Sequence, residues 1–230
     1  MAMQLYIGNK NYSSWSLRAW LLMRGLGLPF DEIRLRLDFS DGSPFHTTLA
    51  GVSPAGRVPV LVDDGFAVWD TLAIAEYLHE RFPDKGVWPA DAKARARARS
   101  LCAEMHAGFG ALRSHCPMNI EADLPEAGRR IWAGQPEVQR DVARIDAMWS
   151  AQLAGGGPLL FGRFCAADAF YAPVCARLVT YALPLSEAAR GYVAQVTALP
   201  GYAAWADAAR AEHDFIADDE PYRQPPQRTG

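Results

Sequence analysis

A proline that follows a short turn, within residues 55–61, constrains the fold more than any other feature of this chain. Proline has no backbone N–H to give to a sheet, so Pro59 must begin a strand or lie at a sheet edge. The backbone groups of Val58 then stay free. If the bond between Val58 and Pro59 is cis, those groups can pair with an extended peptide as a neighbouring strand would. The general frequency of cis bonds favours trans, and the sequence leaves the isomer open.

The residues after Pro59 predict a hairpin followed by a helix. Residues 63–65, Asp-Asp-Gly, lie between two short apolar runs, which is typical of a hairpin. Asp70 or Thr71 can cap a helix whose apolar residues keep helical spacing up to residue 83. The unpaired N–H groups at its start suit a ligand carboxylate, and Asp70 suits a ligand ammonium group. This pattern predicts a site for a free amino-acid head group, although the same two residues could simply cap the helix.

The residues before this segment complete the pattern of a small α/β domain. Apolar spacing predicts a strand at residues 3–8, and the loop at 9–14 leads into a helix that ends at Gly25 or Gly27. Strict alternation at 33–37 predicts a second strand. With the hairpin and helix that follow, this order predicts a thioredoxin-like N-terminal domain at residues 1–83 and a linker at 84–92.

The second half of the chain has helical periodicity throughout. From Lys93, apolar residues recur every three or four positions, and further helices are expected near residues 136–153, 166–181, 186–198 and 201–213. We therefore predict an all-α C-terminal domain at residues 93–220, followed by a loosely packed tail at 221–230. The predicted fold class is an α/β thioredoxin-like domain joined to an all-helical domain.

Length, charge and cysteine content narrow the class of function. A chain of 230 residues can bury one or two cores, and two domains fit this size. No apolar stretch reaches the roughly 20 residues of a membrane span, and the first residues lack the parts of a signal peptide, so we expect a cytoplasmic protein without a membrane partner. A net charge of −3 gives no general attraction to nucleic acid. The four cysteines form no C-x-x-C pair, so we expect reduced, buried thiols and no metal.

The ordered set of motifs resembles the cytosolic glutathione S-transferase family, from residue 3 to about residue 214. In that family, the residue before a cis-proline pairs with the cysteinyl part of glutathione, and an acidic residue followed by Ser or Thr holds the γ-glutamate. The resemblance implies a homodimeric detoxification enzyme that uses glutathione as a co-substrate. It assigns six residues to glutathione binding, namely Trp15, Arg57, Val58, Pro59, Asp70 and Thr71.

A hydroxyl near the glutathione sulfur is the next requirement of such an enzyme. A thiol attacks as the thiolate, and an ordinary cysteine thiol has a pKa of about 8.5, so the site must stabilise the anion. Residues 12–18 lie where a strand gives way to a helix, and they are similar to the Ser-Ser-Cys-Ser segment of the zeta class, with Trp15 at the cysteine position. By that match Ser13 contacts the sulfur, and Ser14 is its neighbour and alternative. Tyr6 is a rival, since other classes use a tyrosine near this strand.

The expected pocket for the electrophile lies between the two domains. We predict that it is lined by Tyr12 and by four residues at the start of the second domain, Met105, His106, Phe109 and Arg113. Either His106 or Arg113 could orient an acidic substrate. The same Met-aromatic stripe at helical spacing is also typical of a core, and this alternative stays open.

Two further residues are expected to have structural roles. The zeta-class match makes Arg18 a structural ion-pair residue. Residues 161–170 resemble the family's buried capping box and hydrophobic staple, with Cys165 in place of the usual Ser or Thr. Asp168 can still accept a hydrogen bond from a backbone N–H at the helix start, so we predict that it is structural and buried.

Two functions from different classes remain open on the sequence alone. The first is a glutathione transferase-like enzyme whose Ser13 stabilises the thiolate, either for conjugation to a small electrophile or for a reversible addition that gives cis-trans isomerisation. The second is a binding or regulatory protein that keeps the fold without turnover. A thiol-disulfide transferase is disfavoured because no cysteine lies at residues 13–16.

Overall fold

The N-terminal domain of the computed structural model, which describes residues 2–225, is built on one four-stranded sheet. Its elements are β1 (Met3–Ile7), α1 (Ser14–Gly25), β2 (Phe30–Arg34), α2 (Pro44–Ala50), β3 (Val60–Asp63), β4 (Phe66–Trp69) and α3 (Thr71–Arg81). The strands lie in the order β2-β1-β3-β4, with β1 and β2 parallel and the other two pairs antiparallel. This topology confirms the predicted thioredoxin-like domain.

β2 begins and ends earlier than the alternating pattern predicts. It pairs with β1 in parallel register, with Ile7 opposite Arg34. Beyond that pair, the Leu35 N–H still donates to the Ile7 carbonyl at 2.8 Å, but the Leu37 N–H donates to the side chain of Asn9. The predicted strand at 33–37 was therefore wrong in its bounds, because pairing with β1 sets the register and local alternation does not.

The C-terminal domain is all helical, as predicted. Its helices are α4 (Ala92–Ala107), α5 (Gly110–His115), α6 (Pro125–Gly134), α7 (Pro136–Leu153), α8 (Ala166–Thr180), α9 (Glu187–Thr197) and α10 (Pro200–Glu212). The four helices expected in its second part correspond to α7–α10 within one residue at each end. The sequence did not predict α5 and α6 as separate helices. Among the helices of residues 2–225, none is long and apolar enough to cross a membrane.

The two domains share one hydrophobic core. Helix α1 packs against α8, and Trp20 on α1 meets Trp205 on α10 edge to face, with ring centroids 5.2 Å apart. A smaller cluster joins Tyr12 and Phe45 to Ile216 near the end of the chain. The loop between β1 and α1 is therefore held by residues from both ends of the sequence.

The buried capping box at the start of α8 confirms the prediction for Asp168. Its side chain is fully buried and accepts from the Cys165 N–H at 3.0 Å and the Leu160 N–H at 3.2 Å. It also accepts from the Tyr192 hydroxyl on α9 at 3.0 Å. Burial raises the pKa of Asp168 to about 6, although the hydrogen bonds from these donors act to lower it. One carboxyl group thus ties the loop before α8 to two helices.

All four cysteines are free and buried, in agreement with the expectation of reduced thiols. Burial raises the pKa of the Cys116 thiol to about 12 and that of the Cys102 thiol well above its usual value. These groups therefore stay protonated at neutral pH. The described residues contain no group of three or more His, Cys, Asp or Glu that could hold a metal ion.

The first residues of the predicted tail lie against the C-terminal domain. The Tyr222 hydroxyl donates to the His115 carbonyl at 2.7 Å. The Arg223 guanidinium lies 3.0 Å from the Glu121 carboxylate and also pairs with Glu220. The structure differs from the expected loose packing at these two positions, because each has a polar partner on the folded body. Residues 226–230 of the predicted tail lie outside the described residues.

Candidate active site

A cleft of about 890 Å³ lies between the two domains. The loop after β1 and the first turn of α1 form one wall, and the chain around α2 and Pro59 forms another. The remaining wall comes from α5, α8 and the short turn at Ala217–Asp219. This volume is in the range of clefts that bind small molecules.

The peptide bond between Val58 and Pro59 is cis. The sequence alone had left the choice between cis and trans open. β3 begins only at Val60, opposite Tyr6 of β1, so Val58 lies outside the sheet ladder. Its backbone N–H and C=O have no hydrogen-bond partner within residues 2–225, and Val58 and Arg57 both line the cleft. These backbone groups are available for strand-like pairing with an extended ligand.

Asp70 begins α3 as its N-cap and also faces the cleft. Its Oδ1 accepts from the Leu72 N–H at 2.8 Å, and its second oxygen lies 3.3 Å from Nε2 of His106 on α4. Capping therefore uses one oxygen and leaves the other toward the second domain. Thr71, in contrast, is buried and does not line the cleft, and its hydroxyl has no partner among the described residues. The structure brings Asp70 to the cleft and keeps the Thr71 hydroxyl behind it.

Ser13 and Ser14 line the cleft at the start of α1. Ser13 is the N-cap, and its Oγ accepts from the Ser16 N–H at 3.4 Å and lies 2.7 Å from the Ser16 Oγ. The Ser14 hydroxyl and the Trp15 backbone N–H have no hydrogen-bond partner in the described part of the chain. Hydroxyls and a free helix N–H therefore meet at one end of the cleft, where the helix carries partial positive charge.

Of the two tyrosines near this end of the cleft, one lies outside the cleft and the other has its hydroxyl bonded to other residues. Tyr6 lies on β1, packs against the smaller cluster and does not line the cleft. Tyr12 lines the cleft, but its hydroxyl lies 2.7 Å from the Glu220 carboxylate and 3.0 Å from the Asp214 carbonyl. Burial, together with the hydrogen bond to Glu220, raises the pKa of Tyr12 to about 12. Neither tyrosine is placed to donate to a sulfur beside α1.

Arg18 forms no ion pair within the described residues, so its predicted ion-pair role was wrong. The side chain is wholly buried, its guanidinium lies 4.2 Å from the Trp15 ring centroid, and Nη2 lies 3.5 Å from the Met105 sulfur. Nε and Nη1 have no partner in residues 2–225. Burial, followed by repulsion from Arg113 and Arg177, lowers the pKa of Arg18 to about 9. A positive charge without a bound acid therefore lies behind the Trp15 wall of the cleft.

Arg113 and Arg177 line the cleft. Among the described residues, their hydrogen-bond partners are backbone carbonyl oxygens and not carboxylates. Arg113 donates to the His106 carbonyl at 3.2 Å, and Arg177 donates to the Cys116 carbonyl at 3.3 Å. Burial, followed by repulsion from Arg113, lowers the pKa of Arg177 to about 10. The acid on this wall is Asp219, whose pKa is raised by burial to about 6. We call Arg113 and Arg177 the arginine pair.

Of the five residues predicted for the electrophile pocket, only Tyr12 and Arg113 line the cleft. The prediction was wrong for Met105 and Phe109, which are buried in the main core. Met105 lies on α4, which packs against α8, and Phe109 is the N-cap of α5, which packs against α7. His106 lies beside the cleft and reaches the N-cap of α3 instead.

Sequence reasoning missed three parts of the cleft wall. The region of α2 contributes Phe39, Phe45 and His46, α8 contributes Arg177, and the turn after α10 contributes Asp219. Arg177 carried a detectable signal, because it and Asp168 are the only charged residues in the otherwise apolar α8. Phe39, Phe45, His46 and Asp219 carried none, since single aromatic or polar residues in short helices and loops are common.

Comparison with known proteins gives one family for both halves of the chain. The family model described as "Glutathione S-transferase, N-terminal domain" matches residues 12–81, and the one described as "Glutathione S-transferase, C-terminal domain" matches residues 90–208. Together these matches include the whole of the cleft except the chain around Asp219.

Individual relatives agree with the family models. The chain is 30% identical over 119 residues to the Maleylacetoacetate isomerase of Pseudomonas aeruginosa. The matched residues make up 51% of this chain and about half, 55%, of that protein's length. It is 25% identical over 169 residues to "Glutathione S-transferase zeta class" of Euphorbia esula, covering 74% of this chain and 70% of that protein. A crystal structure of a glutathione transferase homolog from Burkholderia GL BGR1, with bound glutathione, is 25% identical, with a TM-score of 0.68 and coverage of 91% of this chain and 98% of that one.

Proposed function

We propose that this chain, which belongs to the glutathione S-transferase family, binds glutathione in its interdomain cleft and activates the thiol for attack on a small electrophile. One observation carries the proposal. The free backbone of Val58, the N-cap Asp70 and the hydroxyls of Ser13 and Ser14 come from three separate segments and line a single cleft. The glutathione bound to the Burkholderia homolog supports the same ligand here.

The proposed ligand pose follows from the groups that lack partners. Glutathione lies extended along Val58, whose N–H and C=O pair with its cysteinyl residue. Its γ-glutamyl carboxylate meets the start of α3, where the Thr71 N–H is free, and its ammonium group pairs with Asp70. Trp15 and Arg57, which also line the cleft, complete the proposed contacts.

In the proposed reaction the sulfur lies at the first turn of α1. The Ser13 O–H donates to it, and the free Trp15 N–H adds the positive end of the helix dipole. A decrease of two units in the thiol pKa requires roughly 2.7 kcal/mol, which a hydrogen bond to an anion and a helix N-terminus can supply. The thiolate forms a sulfur–carbon bond, and the displaced electron pair passes to a leaving group or to a conjugated acceptor. Reversal of such an addition, after rotation about the former double bond, gives isomerisation.

We further propose that the electrophile carries a carboxylate or a similar anionic group. The arginine pair lines the cleft, and the Arg177 Nε has no hydrogen-bond partner in residues 2–225. Two buried or half-buried guanidinium groups repel each other, and an anion between them relieves this repulsion. Asp219, the acid that lines the same wall, would compete with such an anion, and burial raises its pKa to about 6.

Replacement of Arg113 tests the charge of the electrophile. We expect Arg113→Gln to lower kcat/KM about tenfold for an electrophile with a free carboxylate and to leave that for its methyl ester within about twofold. Arg140→Gln is the matched control, because Arg140 is an exposed arginine paired with Glu137 on α7. Equal losses for the acid and the ester would contradict an anionic substrate.

We also propose that the protein is a homodimer of the cytoplasm with a role in detoxification, as the family suggests. β4 lies at an edge of the sheet, and 63% of Phe66 on this strand is exposed. Large apolar side chains on an unpaired strand edge are typical of a surface that a partner covers.

Light scattering in solution tests the dimer. We expect a mass of twice 25.2 kDa for the wild type and a shift toward the single-chain mass for Phe66→Lys, because a charge on the β4 edge opposes its burial. Phe39→Lys is the control, since Phe39 is a similarly exposed phenylalanine, at 56%, on a different part of the domain. A wild-type mass of 25.2 kDa at micromolar concentration would exclude the dimer.

Two measurements on the wild type test the proposed enzyme. Calorimetry with glutathione should show one site per chain, and a panel of electrophiles that includes acids should show glutathione-dependent turnover. Binding without turnover on any member would favour the alternative of a binding or regulatory protein. A crystal soaked with glutathione then locates the sulfur against Ser13 and Ser14.

A further inference from the structure

Ser16, in the first turn of α1, is fully buried and links the end of β1 to Ser13. Its Oγ accepts the Gly8 N–H at 3.0 Å and lies 2.7 Å from the Ser13 Oγ. Gly8 follows the last residue of β1, so its N–H is turned away from the sheet toward α1. Ser16 itself does not line the cleft, whereas Ser13 does.

The direction of the hydrogen bond between the two serines follows from burial. Within residues 2–225, the Ser13 Oγ is the only acceptor near the Ser16 O–H, because the Gly8 N–H is a donor. If Ser13 donated to Ser16, the fully buried Ser16 hydroxyl would keep an unsatisfied proton, which is costly. If Ser16 donates, every group is satisfied and the Ser13 proton points to the cleft, where a ligand or water can accept it.

Close packing at the end of β1 holds this arrangement. A Cβ on Gly8 would lie 3.2 Å from the Ser13 Cβ and 2.6 Å from the Leu37 Cδ2. A larger residue at this position would require the Leu37 side chain and Ser13 to shift. The Ser16 hydroxyl therefore has a fixed donor on one side and a fixed acceptor on the other.

We propose that Ser16 is a positioning residue that turns the Ser13 O–H toward the glutathione sulfur and strengthens it as a donor. A hydroxyl that accepts a hydrogen bond becomes a better donor, because neighbouring bonds polarise each other. The chain of donors runs from the Gly8 N–H through Ser16 to Ser13 and ends at the thiolate. This inference rests on the proposed function, in which Ser13 contacts the sulfur.

The pKa of enzyme-bound glutathione is the decisive readout. It is measured from the ultraviolet absorbance of the thiolate as a function of pH. We expect Ser16→Ala to raise this pKa by about half to one pH unit, and to lower kcat about three- to tenfold at a pH below the wild-type value. At a pH above both pKa values, kcat returns close to that of the wild type. The KM for glutathione changes little, because Ser16 does not touch the ligand.

A double-mutant cycle separates this role from a merely structural one. In a Ser13→Ala background, Ser16→Ala should cause no further increase in the pKa, since its effect passes through the Ser13 hydroxyl. Ser16→Thr, which keeps the hydroxyl, should restore most of the wild-type pKa. If Ser16→Ala fails to fold, Ser16→Cys, a weaker donor of similar size, should give an intermediate pKa.

The possible failures are distinguishable. An unchanged pKa in Ser16→Ala, or an equal increase in both backgrounds, would overturn the role of Ser16 while the proposed function stands. A wild type that binds no glutathione, or binds it only as the thiol at neutral pH, would overturn the proposed function itself.

Discussion

Ser13→Ala should lower kcat for glutathione-dependent turnover about a hundredfold at neutral pH, and it should weaken glutathione binding much less. Ser13 lines the cleft, and in the proposed hydrogen-bond network Ser16 donates to it, so its loss removes a donor aimed at the developing thiolate. Loss of one such donor in other enzymes costs about a hundredfold to a thousandfold. The affinity changes less because Val58 and Asp70 hold the rest of the tripeptide. Stopped-flow or steady-state rates and calorimetry measure the two quantities.

Ser186→Ala controls for the loss of a helix cap in this experiment. Ser186 is the serine N-cap of α9 and accepts from the Ala189 N–H, much as Ser13 accepts from the Ser16 N–H. It lies outside the cleft, so its removal should cost about 1 kcal/mol of stability and leave turnover unchanged. Ser14→Ala forms the third arm, with an expected loss of about threefold. A larger loss for Ser14→Ala than for Ser13→Ala would transfer the sulfur contact to Ser14.

Asp168→Ala should destabilise the protein by about 3–5 kcal/mol and leave the glutathione affinity of the folded fraction unchanged. The variant leaves three buried donors without an acceptor, namely the backbone N–H groups of Leu160 and Cys165 and the hydroxyl of Tyr192. It also opens a small cavity at the junction of α8 and α9. Asp168 does not line the cleft, so the ligand contacts remain. Denaturant unfolding and calorimetry with glutathione measure the two effects.

Asp146→Ala is the matched comparison for Asp168. The Asp146 carboxylate also accepts a backbone N–H before a helix, that of Ser186 at 2.7 Å, together with the hydroxyls of Ser186 and Ser150. This site is near the surface, where water can replace the lost acceptor, so we expect a cost of about 1 kcal/mol. Normal thermal stability of Asp168→Ala would contradict the structural role of the buried carboxyl.

The helices were the most predictable part of the fold, because their signals are local. α7 has the predicted bounds, Pro136–Leu153, since a proline starts it and apolar residues recur at helical spacing. The capping residue Asp70 likewise identified the start of α3. β2 was displaced because its pairing with β1 depends on residues far away in the sequence. The short α2 and α5 offered too few residues for a periodic pattern.

The candidate site was predictable only where a short stretch of sequence forms it. Val58, Pro59 and Asp70 line the cleft, as do Ser13 and Ser14, and each belongs to a motif a few residues long. The wall built from α8 and the turn after α10 was missed, because its residues approach the cleft only through helix packing. Helix packing likewise buried Met105 on α4 and Phe109 at the start of α5 in the core, and so removed both from the pocket.

The sequence by itself determined the two domains, the helical second half, the serine-bearing start of α1 and the capping carboxyl of α8, because hydrophobic periodicity and capping chemistry act over a few residues. Only the tertiary structure decided the cis bond at Pro59, the burial of Arg18 without an acid, the position of both Arg113 and Arg177 on the cleft wall, and the close approach of the Ser13 and Ser16 hydroxyls. Most of these features depend on contacts between segments that are distant in the sequence. Where such contacts are buried, a polar group without a hydrogen-bond partner carries a free-energy cost.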